Sequence, residues 1–157
     1  MKKFLLALLV TLAAITVQTS ISYSQGAAKT GPDPATLRDA DLEKDSLHNL
    51  EVARHYFKLK KAYVAAIKRC EEIDAGNPNF AKMDEVLFIA GESSLRLAEN
   101  RGKQKTKEKT SEQLRQDARV YLSRLVADYP NSPFAQQVEA DLKTLGGPIP
   151  KPEGSQP

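Results

Sequence analysis

The chain has 157 residues, and its 20 carboxylates nearly balance its 23 lysines and arginines, for a formal net charge of +3. This length fits one domain, and the charge balance gives no electrostatic reason to expect nucleic acid as a partner. The single cysteine, Cys70, excludes an intrachain disulfide. It falls in a predicted helix, where we expect it to pack as a small apolar side chain.

The first 24 residues have the pattern of a secretory signal peptide. Lys2 and Lys3 precede an apolar run over residues 4–17, and small and polar residues follow, so cleavage is predicted after Ser24. The run is shorter than the roughly 20 apolar residues that span a bilayer, so an uncleaved anchor is the weaker alternative. No cysteine directly follows the run, so no lipid anchor is predicted.

Composition separates the remaining chain into three parts. Residues 25–35 are rich in Gly, Ala, Pro and Asp and are predicted to form a disordered linker. Residues 146–157 are rich in proline and glycine and are predicted to form a disordered tail. The part between them, residues 36–145, is predicted to fold as one helical domain.

Apolar residues in this domain recur with helical rather than strand periodicity, which predicts an all-α fold. The first helix is amphipathic from about Ser46 to Leu59, and an earlier, more polar start near Thr36 is the alternative. Pro78 and Pro130 each end a later helix, and Thr110 with Gln113 fits a capping box. The other four helices are predicted at about residues 62–75, 81–99, 111–129 and 132–145.

The helical domain contains an internal repeat. One helix series recurs 52 residues later, as Ala66, Cys70, Ile73, Pro78 and then Ala118, Leu122, Leu125, Pro130. The helix before it recurs 37 residues later, as Leu50, Ala53, Phe57 and then Leu87, Ala90, Ser94. The unequal shifts place an insertion inside the second hairpin, at residues 100–113. Repeated helical hairpins are typical of protein-binding scaffolds, because each hairpin buries its apolar face against the next.

Three sequence stretches carry a family resemblance: KKAYVAAIKRCEEIDAGNP, FIAGESSLRLAEN and ARVYLSRLVADYPNSPFAQQVEADLKTL. They resemble the tetratricopeptide-repeat family and, within it, the BamD-like outer-membrane protein assembly factors, although the lipoprotein cysteine of those factors is absent. The resemblance implies a right-handed α-solenoid fragment of about two repeats and a C-terminal capping helix. It also implies an exported, non-enzymatic scaffold at the periplasmic face of the outer membrane, with β-barrel assembly components as partners.

Two other functions remain open. Similar repeats occur in periplasmic adaptors for peptidoglycan or cell-division proteins. A small metal-binding or thiol-dependent enzyme is the third possibility, because His48, Glu51 and His55 share one helix face and Cys70 is present. No HExxH motif or further Cys/His cluster supports a metal site, and no nucleophile motif or phosphate loop supports catalysis. The sequence therefore predicts no enzyme, no metal and no cofactor.

In a stack of hairpins, the first helix of each hairpin lines a concave groove. Residues just off the apolar stripe are then candidates for partner binding. They are His48, Glu51, His55 and Lys58 in the first hairpin and Glu85, Phe88, Glu92 and Leu95 in the second. Phe88 is the candidate apolar anchor for a bound peptide; alternatively, it packs in the core.

The insertion is basic over residues 101–109. It could contact an anionic surface such as lipid headgroups or phosphates through Arg101, Lys103, Lys105, Lys107 and Lys109. Peripheral association with the outer membrane would follow. The segment contains no aromatic residue, which argues against stacking on nucleic-acid bases. The alternative is a mobile, solvated loop without a binding role.

Overall fold

The computed structural model describes residues 39–150, and the regular secondary structure of this part of the chain is helical, without a strand. The all-α prediction is therefore confirmed for these residues. The predicted signal peptide, most of the predicted linker and domain start, and residues 151–157 of the tail lie outside the described range. The helices are α1 (Ala40–Arg54), α2 (Tyr63–Gly76), α3 (Met83–Ala98), α4 (Ser111–Asp128) and α5 (Ala135–Thr144), with a π-helical segment, His55–Lys60, continuing α1.

Local side-chain chemistry fixes where two of the helices begin. The Asp39 carboxylate accepts hydrogen bonds from the backbone N–H groups of Asp41 and Leu42, so α1 begins at Ala40 rather than at Thr36 or Ser46. Thr110 and Gln113 form the predicted capping box at the start of α4.

The π-helical segment ends on a residue in the left-handed conformation. Lys61 has φ of 52°, and the Ala62 N–H that follows donates to the Tyr56 carbonyl oxygen at 3.0 Å. Glycine adopts this conformation without strain, whereas an L side chain costs about 1 kcal/mol there. The first helix thus ends close to the predicted residue, Leu59. The left-handed conformation of Lys61 that ends it is not predicted from the sequence.

The core is centred on α3. Every residue from Val86 to Ser94 is buried, so this helix is covered on all sides. It packs mainly against α2 and α4, while α1 covers α2 and α5 covers α4. An ion pair between Arg124 and Asp74, 2.8 Å apart, joins α4 to α2. Each helix therefore packs chiefly on its neighbours in the chain.

The two copies of the sequence repeat have the same burial pattern. The corresponding pairs Ala66 and Ala118, Cys70 and Leu122, and Ile73 and Leu125 are all at most 2% exposed. Leu50, Ala53 and Phe57 are buried, as are their counterparts Leu87, Ala90 and Ser94. The equivalent residues thus occupy equivalent interior positions.

The sizes of two packed residues are exchanged between the copies. A Cβ atom added at Gly91 would lie 2.5 Å from Leu122 Cδ2, so α3 and α4 approach closely only because Gly91 has no side chain. The corresponding positions in the first copy hold Arg54 and Cys70. The larger residue is on the first helix of one pair and on the second helix of the other.

The first part of the predicted disordered tail is held against α4, which corrects that prediction for residues 146–150. Arg119 Nε donates to the Gly147 carbonyl oxygen at 2.7 Å, and the Ile149 N–H donates to Ser123 Oγ at 2.8 Å. Gly146 and Gly147 have φ of 91° and 87° and turn the chain after α5. Side chains on α4 thus supply the ordering that a Pro/Gly-rich composition does not provide by itself.

Substitution of Gly91 tests the close approach of α3 and α4. Because the new methyl group overlaps the fully buried Leu122, we expect Gly91→Ala to lower the free energy of unfolding by about 1–3 kcal/mol. In a Leu122→Ala background the methyl group enters vacated space, so the same change should cost much less. Urea denaturation of the four proteins measures this coupling, and equal costs in both backgrounds would contradict the packing.

Candidate functional site

Four of the predicted binding residues form an exposed strip on the first helix. His48, Glu51, His55 and Lys58 are all exposed and recur at spacings of three and four residues along α1 and its π extension. Leu47, next to His48 in the sequence, is 39% exposed. This strip is accessible to a partner in the described part of the molecule.

The other four predicted binding residues do not form a matching exposed strip on α3. Phe88 and Glu92 are only 9% and 5% exposed, so the prediction that they line an open groove is wrong. Leu95 is partly buried, and Glu85 is occupied by an ion pair to α1. The physical reason is that α3 has neighbours on all sides, so a position just off its apolar stripe still faces another element.

Phe88 lies in a row of aromatic rings that crosses the first helix, α3 and the segment before α5. Its ring stacks on Phe134 with centroids 4.4 Å apart, and its other neighbour, Phe57, lies edge-on at 6.4 Å. Aromatic pairs in these geometries stabilise a core beyond the area that they bury. Phe88 is therefore an interior packing residue, which is the alternative that the sequence left open.

Truncation of Phe88 tests this assignment. Removing a buried ring that has two aromatic neighbours should lower the free energy of unfolding by about 3–5 kcal/mol. His48→Ala, a change on the exposed strip, should stay within about 0.5 kcal/mol of the parent protein. Chemical denaturation of both variants distinguishes the two environments, and a Phe88→Ala protein of unchanged stability would place the ring outside the core.

A bidentate ion pair closes the space between α1 and α3. Arg54 Nε lies 2.6 Å from Glu85 Oε1, and Arg54 Nη2 lies 2.5 Å from Glu85 Oε2. The hydrogen bond from Arg54 lowers the pKa of the Glu85 carboxyl below its ordinary value. The pair therefore stabilises the fold above the unfolded-state pKa of Glu85, and this contribution is lost as the pH falls through the lowered pKa.

A second cluster of charged side chains lies in the interior between α3 and α5. The Glu92 carboxylate is 2.7 Å from Arg96 Nη2, and the Arg96 guanidinium lies over the Phe57 ring at 4.3 Å. Asp141 of α5 faces Glu92, and its Oδ2 atom is buried without a donor among the described residues. Burial, and then the Asp141 carboxyl, raise the pKa of Glu92 above its ordinary value of 4.5.

The raised pKa of Glu92 sets the sign of a pH effect. The folded protein holds this proton more tightly than the unfolded chain, so the contribution to stability is complete below about pH 4.5 and is lost as the pH rises through the raised pKa. Glu92→Gln removes this titration. We expect its free energy of unfolding to fall less steeply than that of the parent as the pH rises.

Urea denaturation at a series of pH values measures both curves. Glu139→Gln is the matched control, because Glu139 is an exposed carboxylate on the same helix as Asp141. Its curve should run parallel to that of the parent protein. Parallel curves for Glu92→Gln as well would show that Glu92 titrates alike in the folded and unfolded chains.

The basic insertion is partly docked on the hairpin before it. The Lys103 N–H donates to the Lys61 carbonyl oxygen at 3.0 Å, and the Ala65 N–H donates to Gln104 Oε1 at 3.3 Å. Gly102 has φ of 116°, and a Cβ atom there would lie 2.6 Å from the Tyr63 ring. Residues 101–104 therefore contact Tyr63 and supply a hydrogen-bond acceptor to the first turn of α2, while they remain exposed to solvent.

The five basic residues of the insertion have different environments. Arg101 pairs with Glu99 at 3.2 Å, and Lys109 pairs with Asp117 at 2.6 Å. Lys103, Lys105 and Lys107 are exposed. The sequence does not predict that Lys103 lies beside Lys61. The cluster of basic residues at Lys58–Lys61 can nevertheless be recognised in the sequence.

The residues considered for metal or thiol chemistry do not come together. Among residues 39–150, no group of three or more His, Cys, Asp and Glu side chains is arranged to hold a metal ion. Cys70 is 1% exposed, and burial raises the pKa of its thiol. A thiol in this state is a poor nucleophile, since the thiolate is the reactive form.

Comparison with known proteins provides no relative for this site. No protein-family model, no curated protein and no solved structure matches the chain. Within the described residues, no helix is both long enough and apolar enough to cross a membrane. Two features of the described residues are accessible to a partner. One is the exposed strip of α1, and the other is the set of exposed lysines at Lys58–Lys61 and in the insertion.

Proposed function

We propose that this chain is a non-enzymatic protein-interaction scaffold built from helical-hairpin repeats of the tetratricopeptide type. Its binding surface is the part of the exposed strip formed by His48, Glu51 and His55, together with the exposed Leu47 beside it. Binding occurs on a rigid helix face that is already formed before the partner arrives, which limits the entropy lost on association.

The repeat architecture is supported by the matched burial of the two sequence copies. In a stack of hairpins each unit buries its apolar face against the next, so equivalent residues become equivalent interior positions. The series that begins at Ala66 and the series that begins at Ala118 behave in this way. The order of packing, from α1 through α5 along the chain, is also that of a stack.

The observation that carries the choice of surface is the distribution of exposed apolar side chains. Of the four large apolar residues that are exposed in residues 39–150, Leu42, Leu47 and Leu59 lie on α1 or its π extension, and Val120 lies on α4. Among residues 39–150, the first helix has neighbours on one side only. Apolar groups exposed there are available for burial by a partner.

The cellular role that we propose is in the assembly of β-barrel proteins at the outer membrane, in the periplasm. The BamD-like stretches of the sequence and the predicted signal peptide support it. An adaptor for peptidoglycan or cell-division proteins has the same structural requirements and differs only in its partner. The enzyme alternative has less support, because the one cysteine is buried and burial raises the pKa of its thiol.

Site-specific photo-crosslinking in native cells tests both the surface and the role. A photoreactive amino acid replaces Glu51, at the centre of the exposed strip, and the matched control replaces the exposed Gln136 on α5. We expect a discrete cross-linked product from position 51 and none from position 136. Mass spectrometry of the product identifies the partner.

The outcomes separate the proposed roles. A component of the β-barrel assembly machinery cross-linked at position 51 supports the first role, and a peptidoglycan or division protein supports the second. Equal products from positions 51 and 136, or no product at 51, would contradict the α1 surface.

A further inference from the structure

Two basic segments that are distant in the sequence meet beside the end of the first helix. One is Lys58–Lys61, and the other is the insertion Arg101–Lys109. The Lys103 N–H donates to the Lys61 carbonyl oxygen at 3.0 Å, so the two backbones are in contact at this point. The hydrogen bond between Gln104 and Ala65 holds the insertion in the same place.

Most lysines of this surface have no carboxylate within ion-pair distance, although Lys58 is close enough to Glu85 to help lower the pKa of that carboxyl. Six of them are exposed and form no ion pair with another residue in the range 39–150: Lys58, Lys60, Lys61, Lys103, Lys105 and Lys107. Lys58–Lys61 and Arg101–Lys109 together contain one acidic residue, Glu108. The other end of the same helix has the opposite sign, with Asp39, Asp41, Glu43 and Asp45. The first helix thus has an acidic beginning and a basic end.

An apolar side chain lies within the basic segment. Leu59 is 70% exposed, more than any other large apolar residue in the described range, and lysines precede and follow it directly. Exposed leucine next to several long basic side chains fits the interface of a bilayer, where the leucine leaves water and the lysines meet anionic headgroups.

We propose that the surface formed by Lys58–Lys61 and Arg101–Lys107 docks on an anionic lipid bilayer, with Leu59 inserted at the interface. One leucine buries little apolar area, so the association is weak, reversible and dependent on lipid charge. This inference goes beyond the proposed scaffold function and does not rest on it. The protein partner binds the strip around Glu51, whereas the bilayer contacts the end of the helix.

A lipid surface fits these residues better than a nucleic acid does. Single-stranded nucleic acid is bound by aromatic side chains that stack on the bases, and neither basic segment contains an aromatic residue. Leu59 has no role against a phosphate backbone. An acidic protein surface would use the lysines without requiring an exposed leucine, and the experiment distinguishes it.

The chain contains no tryptophan, so one introduced tryptophan reports on its own surroundings. In full-length Leu59→Trp we expect a blue shift of the emission with vesicles of phosphatidylcholine and phosphatidylglycerol, and none with phosphatidylcholine alone. Full-length Leu42→Trp is the matched control, because Leu42 is 44% exposed at the acidic end of the same helix. Its emission should not shift. If the protein bound vesicles only through the apolar run at residues 4–17, the emission of the tryptophan at position 59 would not shift. The reporter therefore distinguishes the two modes of binding.

Charge variants in the Leu59→Trp background test the lysines. Lys103→Gln and Lys105→Gln should each weaken binding to the anionic vesicles about fivefold, since one lysine near a membrane contributes about that factor. Lys143→Gln, an exposed lysine on α5, should have no effect. Lys61→Gly should weaken binding while raising the melting temperature, because glycine removes the strain at φ of 52°. Loss of binding in a more stable protein cannot result from unfolding.

Results of three kinds would overturn the proposal. The first is an unshifted emission from Leu59→Trp with anionic vesicles. The second is an equal shift with neutral vesicles, or a shift that persists at about 1 M salt, where the screening length is only about 3 Å. The third is saturation of the surface by soluble polyglutamate under conditions in which anionic vesicles do not bind, which would assign the surface to an acidic protein.

Discussion

Helix α3 buries every residue from Val86 to Ser94, and the other elements are arranged to cover it. The absence of a side chain at Gly91 lets α4 approach closely on one side. On another side Phe88 lies between Phe57 and Phe134, which brings the first helix and the start of α5 to the same ring. A helix that needs cover on all sides cannot be stabilised by one hairpin, so all five helices depend on one another.

Polar side chains in the interior align the helices with one another more than they add to the total stability. Arg54 and Glu85 align the first helix with α3, and Glu92 faces Asp141 of α5. The pKa values of the two carboxyls are shifted in opposite directions: the hydrogen bond from Arg54 lowers the pKa of Glu85, and burial raises the pKa of Glu92. Buried charges of this kind contribute little net energy compared with apolar packing, but an unpaired one is costly, so they disfavour other alignments.

The sequence predicts the five helices because each has an apolar stripe and a local signal at an end, such as Thr110 with Gln113 or Pro78. It does not predict the surroundings of Phe88 and Glu92. Periodicity identifies one buried face of a helix and assigns the opposite face to solvent, whereas α3 is buried on all faces from Val86 to Ser94. The apolar run from Val86 to Gly91 is the signal that could have indicated burial on all sides. The contact between Lys61 and Lys103 is not predictable from periodicity, since it depends on one long-range backbone hydrogen bond.

The packing of each helix on its neighbours in the chain also bears on how the protein folds. Contacts between residues close in sequence require little loop closure before they form, and domains rich in such contacts fold within microseconds to milliseconds. The local contact between α1 and α2 can therefore form early, and the structure becomes stable once α4 and α5 also cover α3.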